Sequence, residues 1–441
     1  MKTHKLLKDS VRESVNYLLA QQADDFPEAV HYLNLPCMTI SGDTEYQTHK
    51  TKLFQRMIIL DSILDSAETF QENPVTKEIV LTETEKIIKS RHPMVEGGWS
   101  YIPELLLLPP DADDLGLVLQ ILARTGGKEL ASLCDPALDI LFKYNRNSDG
   151  SFETWVTSPE ETNGLNKKIK DYIKVIGGRG ASPDVVANLL LGLKYYNSDK
   201  YKQYYRDAAE YLVKSQNANG YWESKWYWGN YYATWKVINI ISGIPEYSLS
   251  AEKALGFLRI TQNTDGGWGS NKSDPMNTAF ALMCFNLTIA KNAADRNIIL
   301  KALSYLMGTQ ATNGTWNRVP FIKMITEESI LTYESKSITT AFCLKALLQC
   351  LKANEIPDLL EIDIDDFPFV RETGNMKIYS NAKWNWALIN KNRLIQRSNE
   401  NLHSDCNFEG YPGLHIIEVT KNCNLACSYC AANARRTIET D

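Results

Sequence analysis

The chain has 441 residues, 44% hydrophobic and 23% charged with a net charge of −6, which excludes disordered and collagen-like classes and leaves an ordinary globular composition. Its Lys and Arg form no basic stripe, so a nucleic-acid partner is not expected. Nine Cys stand singly until three gather near the end, a usage that suits a reducing compartment and a metal site better than a disulfide framework.

The opening Met1-Lys-Thr-His-Lys-Leu-Leu-Lys runs into a polar, helix-like segment. It has no signal-peptide pattern, and nowhere is there a run of about 18 apolar residues that could span a bilayer, so the expected location is cytoplasmic. Ser14 to Phe26 reads as a helix with a Gln pair at its end. Helical spacing of apolar residues returns at Asp113 to Leu122, Asp184 to Leu193, Met276 to Leu287 and Ser337 to Leu348, each behind a start rich in Pro, Ser, Asp or Thr. Between them one string recurs: Gln-x-x-x-Gly-x-Trp at Gln216 to Trp222, Gln262 to Trp268 and Gln310 to Trp316. Unit starts at Ala208, Ala254 and Ala302 are 46 and 48 residues apart, room for two helices and two turns. Ala137 to Phe152 is a degraded copy, with Asn145 for Gln and Phe152 for Trp. A single helix pair cannot bury its own apolar face, so successive pairs must stack. In this reading Gln satisfies backbone groups at the helix end, Gly allows the tight turn and Trp covers the joint.

These strings resemble the QW repeats of the terpenoid cyclase and prenyltransferase superfamily, the squalene-hopene cyclase relatives, over about Ser14 to Leu351. The resemblance implies an all-α fold over residues 1–355, an (α/α) toroid of repeated helix pairs in an inner and an outer ring, with an apolar central cavity open at one end. It implies no activity by itself, because the toroid also serves as a non-catalytic binding domain.

Asp111-Ala-Asp113-Asp114 heads one inner-type helix after Gly97-Gly98-Trp99 and Pro109-Pro110. Asp363-Ile-Asp365-Asp366 has the same spelling but lies past the last repeat, so context separates the two. The first stretch is similar to the acid-bearing segment of class II terpene cyclases. That resemblance makes Asp113 the general acid, with Asp111 and Asp114 orienting it. Protonating an alkene needs a carboxyl that keeps its proton in a dry pocket, and crowding by neighbouring acids does this. The plainer alternative is that three acids cap a helix N-terminus. A second segment, Tyr221 to Trp235, is dense in aromatics and resembles a W-G-x-N-Y-x-x-x-T-W element of the same cyclases. It supplies Trp226, Trp228, Tyr231, Tyr232 and Trp235 as candidates to face an isoprenoid or other apolar substrate, because ring faces stabilise carbocations. The loop Gly177 to Asp184 could offer backbone N–H groups and Arg179 to a diphosphate, or be only a loop. Prenyltransferase zinc chemistry is disfavoured, since no His occurs between His92 and His403.

Ile356 to Asp366 reads as an acidic linker within a linker and lead-in segment, 356–413, and 414–441 reads as a small α/β piece. There an alternating segment, Leu414 to Thr420, precedes Cys423, Cys427 and Cys430. The C-x3-C-x2-C spacing resembles the cluster loop of radical S-adenosylmethionine enzymes. It implies a [4Fe-4S] cluster and S-adenosylmethionine as cofactors only if the rest of such a domain completes it; no cofactor is assigned to the toroid. Two functions are therefore expected in order: an acid-initiated terpenoid cyclase, or the substrate-binding toroid of a radical enzyme that modifies a peptide, with a non-enzymatic binder as a third.

Overall fold

A computed structural model describes residues 3–38, 44–70, 74–159, 164–288, 293–325 and 330–352, together with four strands between 369 and 398. The chain divides into two units, Met1–Asp363 and Ile364–Asp441.

In the first unit, helices alternate between two environments. α1 (Thr3–Ala23), α3 (Pro74–Lys89), α5 (Asp135–Tyr144), α8 (Lys202–Lys214), α10 (Ser248–Thr261) and α12 (Ala293–Thr309) are the outer set. Such helices bury one stripe: α8 covers Ala208, Ala209 and Leu212, and α10 covers Ala251, Ala254, Leu255 and Leu258. The inner set is α2 (Leu53–Thr69), α4 (Ala112–Ala131), α7 (Pro183–Asn197), α9 (Tyr231–Ile241), α11 (Pro275–Leu287) and α13 (Lys336–Lys352). These are buried nearly all round; every residue from Pro275 to Phe285 is inaccessible. Among the described residues α2 packs on α4, α4 on α7, α7 on α9, α9 on α11, α11 on α13 and α13 on α2, so the inner ring is closed. The expected toroid is the fold.

The repeated string is the mortar of the outer ring. The Trp222, Trp268 and Trp316 indoles donate to the carbonyls of Leu212, Leu258 and Leu306 at 2.6–2.9 Å, each ten residues upstream. Their backbone N–H groups donate to Thr234, Thr278 and Thr340 on inner helices, which ties each outer turn inward. The Gln side chains reach sideways. Gln216 bonds the carbonyl of Ser250, Gln262 that of Ile298, and Gln310 that of Ser10, each on the next outer helix. The last contact joins residues 300 apart and closes the ring. Gly266 adopts φ +88°, and a Cβ there would lie 2.7 Å from the Lys301 carbonyl oxygen, so the turn admits only glycine.

Two antiparallel hairpins interrupt the helices, β1 (His31–Met38) with β2 (Thr44–Thr51) and β3 (Pro320–Ile325) with β4 (Ile330–Glu334). With α6 (Leu165–Val175) they were not anticipated, because short amphipathic segments inside long loops carry no repeat signal. Leu33 of β1, Ile102, Leu108, Trp155 and the Ile169, Tyr172 and Ile173 face of α6 form one buried cluster, with Trp226 and Met324 packed against it.

In the second unit, within the stretch 356–413 read as linker and lead-in, four strands form an antiparallel sheet, β5 (Phe369–Thr373), β6 (Met376–Ser380), β7 (Trp384–Ile389) and β8 (Arg393–Ser398), in sequential order. The short spacings between alternating runs are hairpin spacings. Cys423, Cys427, Cys430 and the segment 414–441 lie outside the described residues, as does Asp363 to Asp366.

Candidate functional site

The three acids at the head of α4 occupy three different chemical situations. Asp111 has extended backbone angles, φ −126° and ψ 160°, and its carboxylate accepts from the N–H groups of Asp113 (2.9 Å) and Asp114 (2.8 Å). The capping role therefore falls to Asp111 alone. The Asp111 N–H itself donates to the Trp99 carbonyl, and the Ala112 N–H to that of Thr154, so flanking segments hold the helix start. Asp114 is 1% exposed, and its carboxyl meets that of Asp111 rather than a backbone N–H. Burial, then the charge of Asp111, raises its proton affinity well above the ordinary carboxylate value.

Asp113 is the acid whose two carboxyl oxygens each accept from a side chain. Its Oδ1 accepts from Asn188 Nδ2 of α7 at 2.7 Å, and its Oδ2 from the Tyr227 hydroxyl at 2.5 Å. Burial pushes its pKa up to about 7, with the nearby carboxylate of Asp184 adding to the rise; Tyr227 and Lys236 act in the opposite direction. Asp184, on the first turn of α7, is itself raised by burial although it accepts from Ser182 and from Ser224 at 2.7 Å. The chemical consequence is a carboxyl that retains its proton to near neutrality and has two donors waiting for the charge it would acquire.

Asn188 sits between Asp113 and a lysine. Its Oδ1 accepts from Lys236 Nζ of α9 at 2.7 Å and from Gln120 Nε2 of α4 at 2.9 Å. Its Nδ2 also donates to the Asp113 carbonyl at 2.9 Å. The close approach of α4 and α7 that permits this depends on Gly116, where a Cβ would lie 2.7–2.8 Å from the backbone of Asn188 and Leu189.

Aromatic rings surround this polar string. Tyr227 lies 4.3 Å from Tyr232 and 4.8 Å from Phe321 between centroids. Trp235 stacks on Phe280 at 5.5 Å, and Phe342 contacts Phe280 at 4.8 Å and Phe321 at 5.2 Å. Phe54 of α2 faces Tyr227 at 6.2 Å.

Of the aromatics singled out in the sequence, Tyr232 and Trp235 reach this interior. The helical period sets Tyr232, Trp235 and Lys236 on one face and turns Tyr231 toward Phe257 of α10, 5.6 Å away. Trp226 joins the buried cluster beneath α6, 5.7 Å from Trp155, and Trp228 is 38% exposed. Trp226, Trp228 and Tyr231 thus lie apart from the interior group, which takes from this aromatic run only Tyr227, ahead of α9, and the inward stripe of α9 itself. The loop at Gly177 spends its N–H groups internally, Gly178 on Ile173 O and Gly180 on Glu153, while Arg179 lines a groove of about 450 Å³ with Lys167, Lys170 and Lys174 on α6. That groove is not lined by Asp113.

Sequence reasoning missed Tyr227, Asn188 and Lys236. A signal existed for two of them: Asn188 and Lys236 are polar residues at inward positions of otherwise apolar helices. Among the described residues no cluster of His, Cys, Asp or Glu is arranged to hold a metal ion, and no helix is long and apolar enough to cross a membrane.

Residues 76–349, more than half of the chain, match the family model "Squalene-hopene cyclase C-terminal domain". Among curated proteins, a drimenyl diphosphate synthase of Streptomyces showdoensis is 25% identical over 48% of this chain and 37% of its own length. A squalene-hopene cyclase of Zymomonas mobilis is 30% identical over 25% of this chain and 18% of its own. The chain therefore matches well under half the length of these relatives. Among solved structures, the type II terpene cyclase MstE from Scytonema superposes with a TM-score of 0.60 at 18% identity, covering 79% of this chain and 99% of that one. A possible GH105-family member from Klebsiella pneumoniae superposes at 0.50 with 11% identity, over 78% of this chain and 93% of its own. At these identities the likeness is one of fold, and the fold is compatible with more than one chemistry.

Proposed function

The chain belongs to the squalene-hopene cyclase C-terminal domain family, and on that premise we propose that it is an acid-initiated, class II-type terpene cyclase acting on an isoprenoid, with Asp113 as the proton donor. The observation that carries this reading is the situation of Asp113: a buried carboxyl held protonated to about pH 7, bonded through both oxygens, inside a shell of aromatic rings.

Retaining a proton and giving it up are opposed demands. Burial meets the first by disfavouring the carboxylate, and the Tyr227 O–H and Asn188 N–H meet the second by stabilising that carboxylate once it forms. Transfer to a terminal alkene carbon would leave a carbocation that Tyr232, Trp235, Phe280 and Phe342 can face with their rings. Asp111, held by two backbone N–H groups, fixes the helix start, and beside it stands Asp114, whose burial raises its proton affinity. Since the rings pack on one another, an isoprenoid enters only if side chains such as Phe321 give way.

Incubation with linear polyprenes and polyprenyl diphosphates, followed by mass spectrometry, tests the reading. Cyclic product should form, and Asp113→Asn should lower its rate by about 10²-fold or more. Turnover unchanged in that variant removes the role given to Asp113.

A second reading is carried by the C-x3-C-x2-C spacing of Cys423, Cys427 and Cys430, in which the toroid presents a substrate, a peptide among the candidates, to a radical S-adenosylmethionine domain. It is tested by 5′-deoxyadenosine release from the protein reconstituted with iron and sulfide; no cluster and no cofactor cleavage defeat it.

A further inference from the structure

Lys236 is a buried ammonium in an otherwise apolar stretch of α9, 7% exposed, directly after Thr234-Trp235. Its Nζ lies 4.9 Å from the Trp235 ring centre and 5.5 Å from that of Tyr232. The other buried cations of the inner ring meet carboxylates directly: Lys345 is 2.7 Å from Asp61, and Arg124 is 2.5 Å from Asp61 and 2.7 Å from Asp65. Lys236 has no such ion pair among the described residues; it donates to an amide oxygen, Asn188 Oδ1. Burying a charge without a directly paired opposite charge is costly, which asks for a reason.

The reason lies on the far side of the amide. Two donors, Lys236 Nζ and Gln120 Nε2, converge on Asn188 Oδ1, while two acceptors of Asp113, its carbonyl and Oδ1, converge on Nδ2. An inverted Asn188 would face donors with donors and acceptors with an acceptor. Its orientation is therefore set by the lysine at one end and serves the acid at the other.

We propose that Lys236 is the positioning residue of Asp113: it holds Asn188 so that an amide N–H rests on the carboxyl, and it sets a positive charge behind the carboxylate that proton transfer leaves. In that step the Asp113 O–H bond breaks and its electron pair stays on oxygen, while the alkene π pair forms the new C–H bond. The negative charge created faces Asn188, Tyr227 and, beyond Asn188, the ammonium. The groups that face Lys236 are Asp113 on α4, Asp184 on α7, Asp61 on α2, Lys345 on α13 and Tyr232 on its own helix; α11 presents Phe280 to the same chamber. Burial draws the lysine down to about 8, and the charge of Asp113 is the largest influence resisting it, the mirror image of the lysine's pull on Asp113. The inference rests on reading Asp113 as the proton donor, but the coupling itself can be measured without any substrate.

The measurement is a pH titration of the infrared carbonyl band of a protonated carboxyl that Asp113→Asn removes. In Lys236→Met its midpoint should move up by about one unit or more, a tenfold weaker acid, and Lys236→Arg should bring it back toward the unsubstituted protein. If Lys236→Met does not fold, Lys236→Gln keeps a hydrogen-bond donor, removes the charge and is read in the same way. One midpoint shared by all variants overturns the proposal. Where cyclic product is also found, an alkaline limb of its rate profile that stays put in the neutral variant overturns the relay and leaves Asp113 its role. A shifted carboxyl midpoint in a protein that forms no cyclic product upholds the relay and removes the cyclase reading instead.

Discussion

Gly116 of α4 lies so close to Asn188 of α7 that a methyl group added to it would come within 2.8 Å of the Asn188 carbonyl oxygen. Gly192 meets the Gly116 backbone in the same way from the other side. The two glycines bring the helices together at the level where the Asn188 side chain reaches Asp113. Gly116→Ala should force them apart, costing about 1–3 kcal/mol of stability and lengthening the 2.7 Å bond to Asp113. Urea unfolding checks the first effect. A variant as stable as the parent would mean that α7 tolerates the added methyl and that the contact sets nothing.

The raised pKa of Asp113 has a definite sign in stability. Its folded value of about 7 stands above the usual 3.8, so its contribution is fully present below about pH 4 and is lost as pH rises through about 7. Asp113→Asn, which cannot ionise, should therefore gain on the parent between pH 4 and 8, by at most about 4 kcal/mol. Urea midpoints of both proteins measured across that range should diverge steadily. A constant difference would show that Asp113 ionises as it does in the unfolded chain.

Tyr227 donates to Asp113 Oδ2 while its ring packs on Tyr232 and Phe321. Tyr227→Phe keeps the ring and removes the donor, so it should matter only when Asp113 is charged. The loss of a hydrogen bond to a carboxylate is about 1.5–3 kcal/mol, to be found in unfolding at pH 8 and largely absent at pH 5. Equal losses at both values would assign the hydroxyl a packing role.

Gln310 bonds Ser10 O, Ser14 Oγ and Gly314 O, and so joins the last repeat to the first helix. Gln310→Ala should cost about 1–3 kcal/mol and speed amide hydrogen exchange in α1 above all. Gln262→Ala, which joins two neighbouring repeats, should leave α1 protected. Exchange that rises evenly around the molecule in Gln310→Ala would mean the seam is not local.

Much of the toroid was legible because its signals are local. The apolar period of Asp184 to Leu193 or Met276 to Leu287 is a property of a single helix, and Gln, Gly and Trp recur because each unit meets its neighbour in the same way. The flanks of Asp111 to Asp114 singled that cluster out in the sequence. What each acid contacts was not legible, because three carboxyls within one helical turn differ only in what faces them. Trp228 and Trp235 looked alike in one aromatic run, yet one is 38% exposed and the other stacks on Phe280. The four strands between 369 and 398 went unread because short alternating runs in a polar setting are a weak signal, and they pair into a sheet.

The sequence by itself determined the repeat, the alternation of inner and outer helices, and which residues turn the chain between them, since these follow from propensity and periodicity within about 50 residues. Only the tertiary structure decided which polar groups converge. Asn188 lies 75 residues from Asp113 and Tyr227 lies 114 residues from it. No local pattern encodes such a meeting, because the packing of successive inner helices, not proximity in sequence, brings α4, α7 and α9 together. The pKa of the acid is set by that convergence, and so is whatever chemistry it performs.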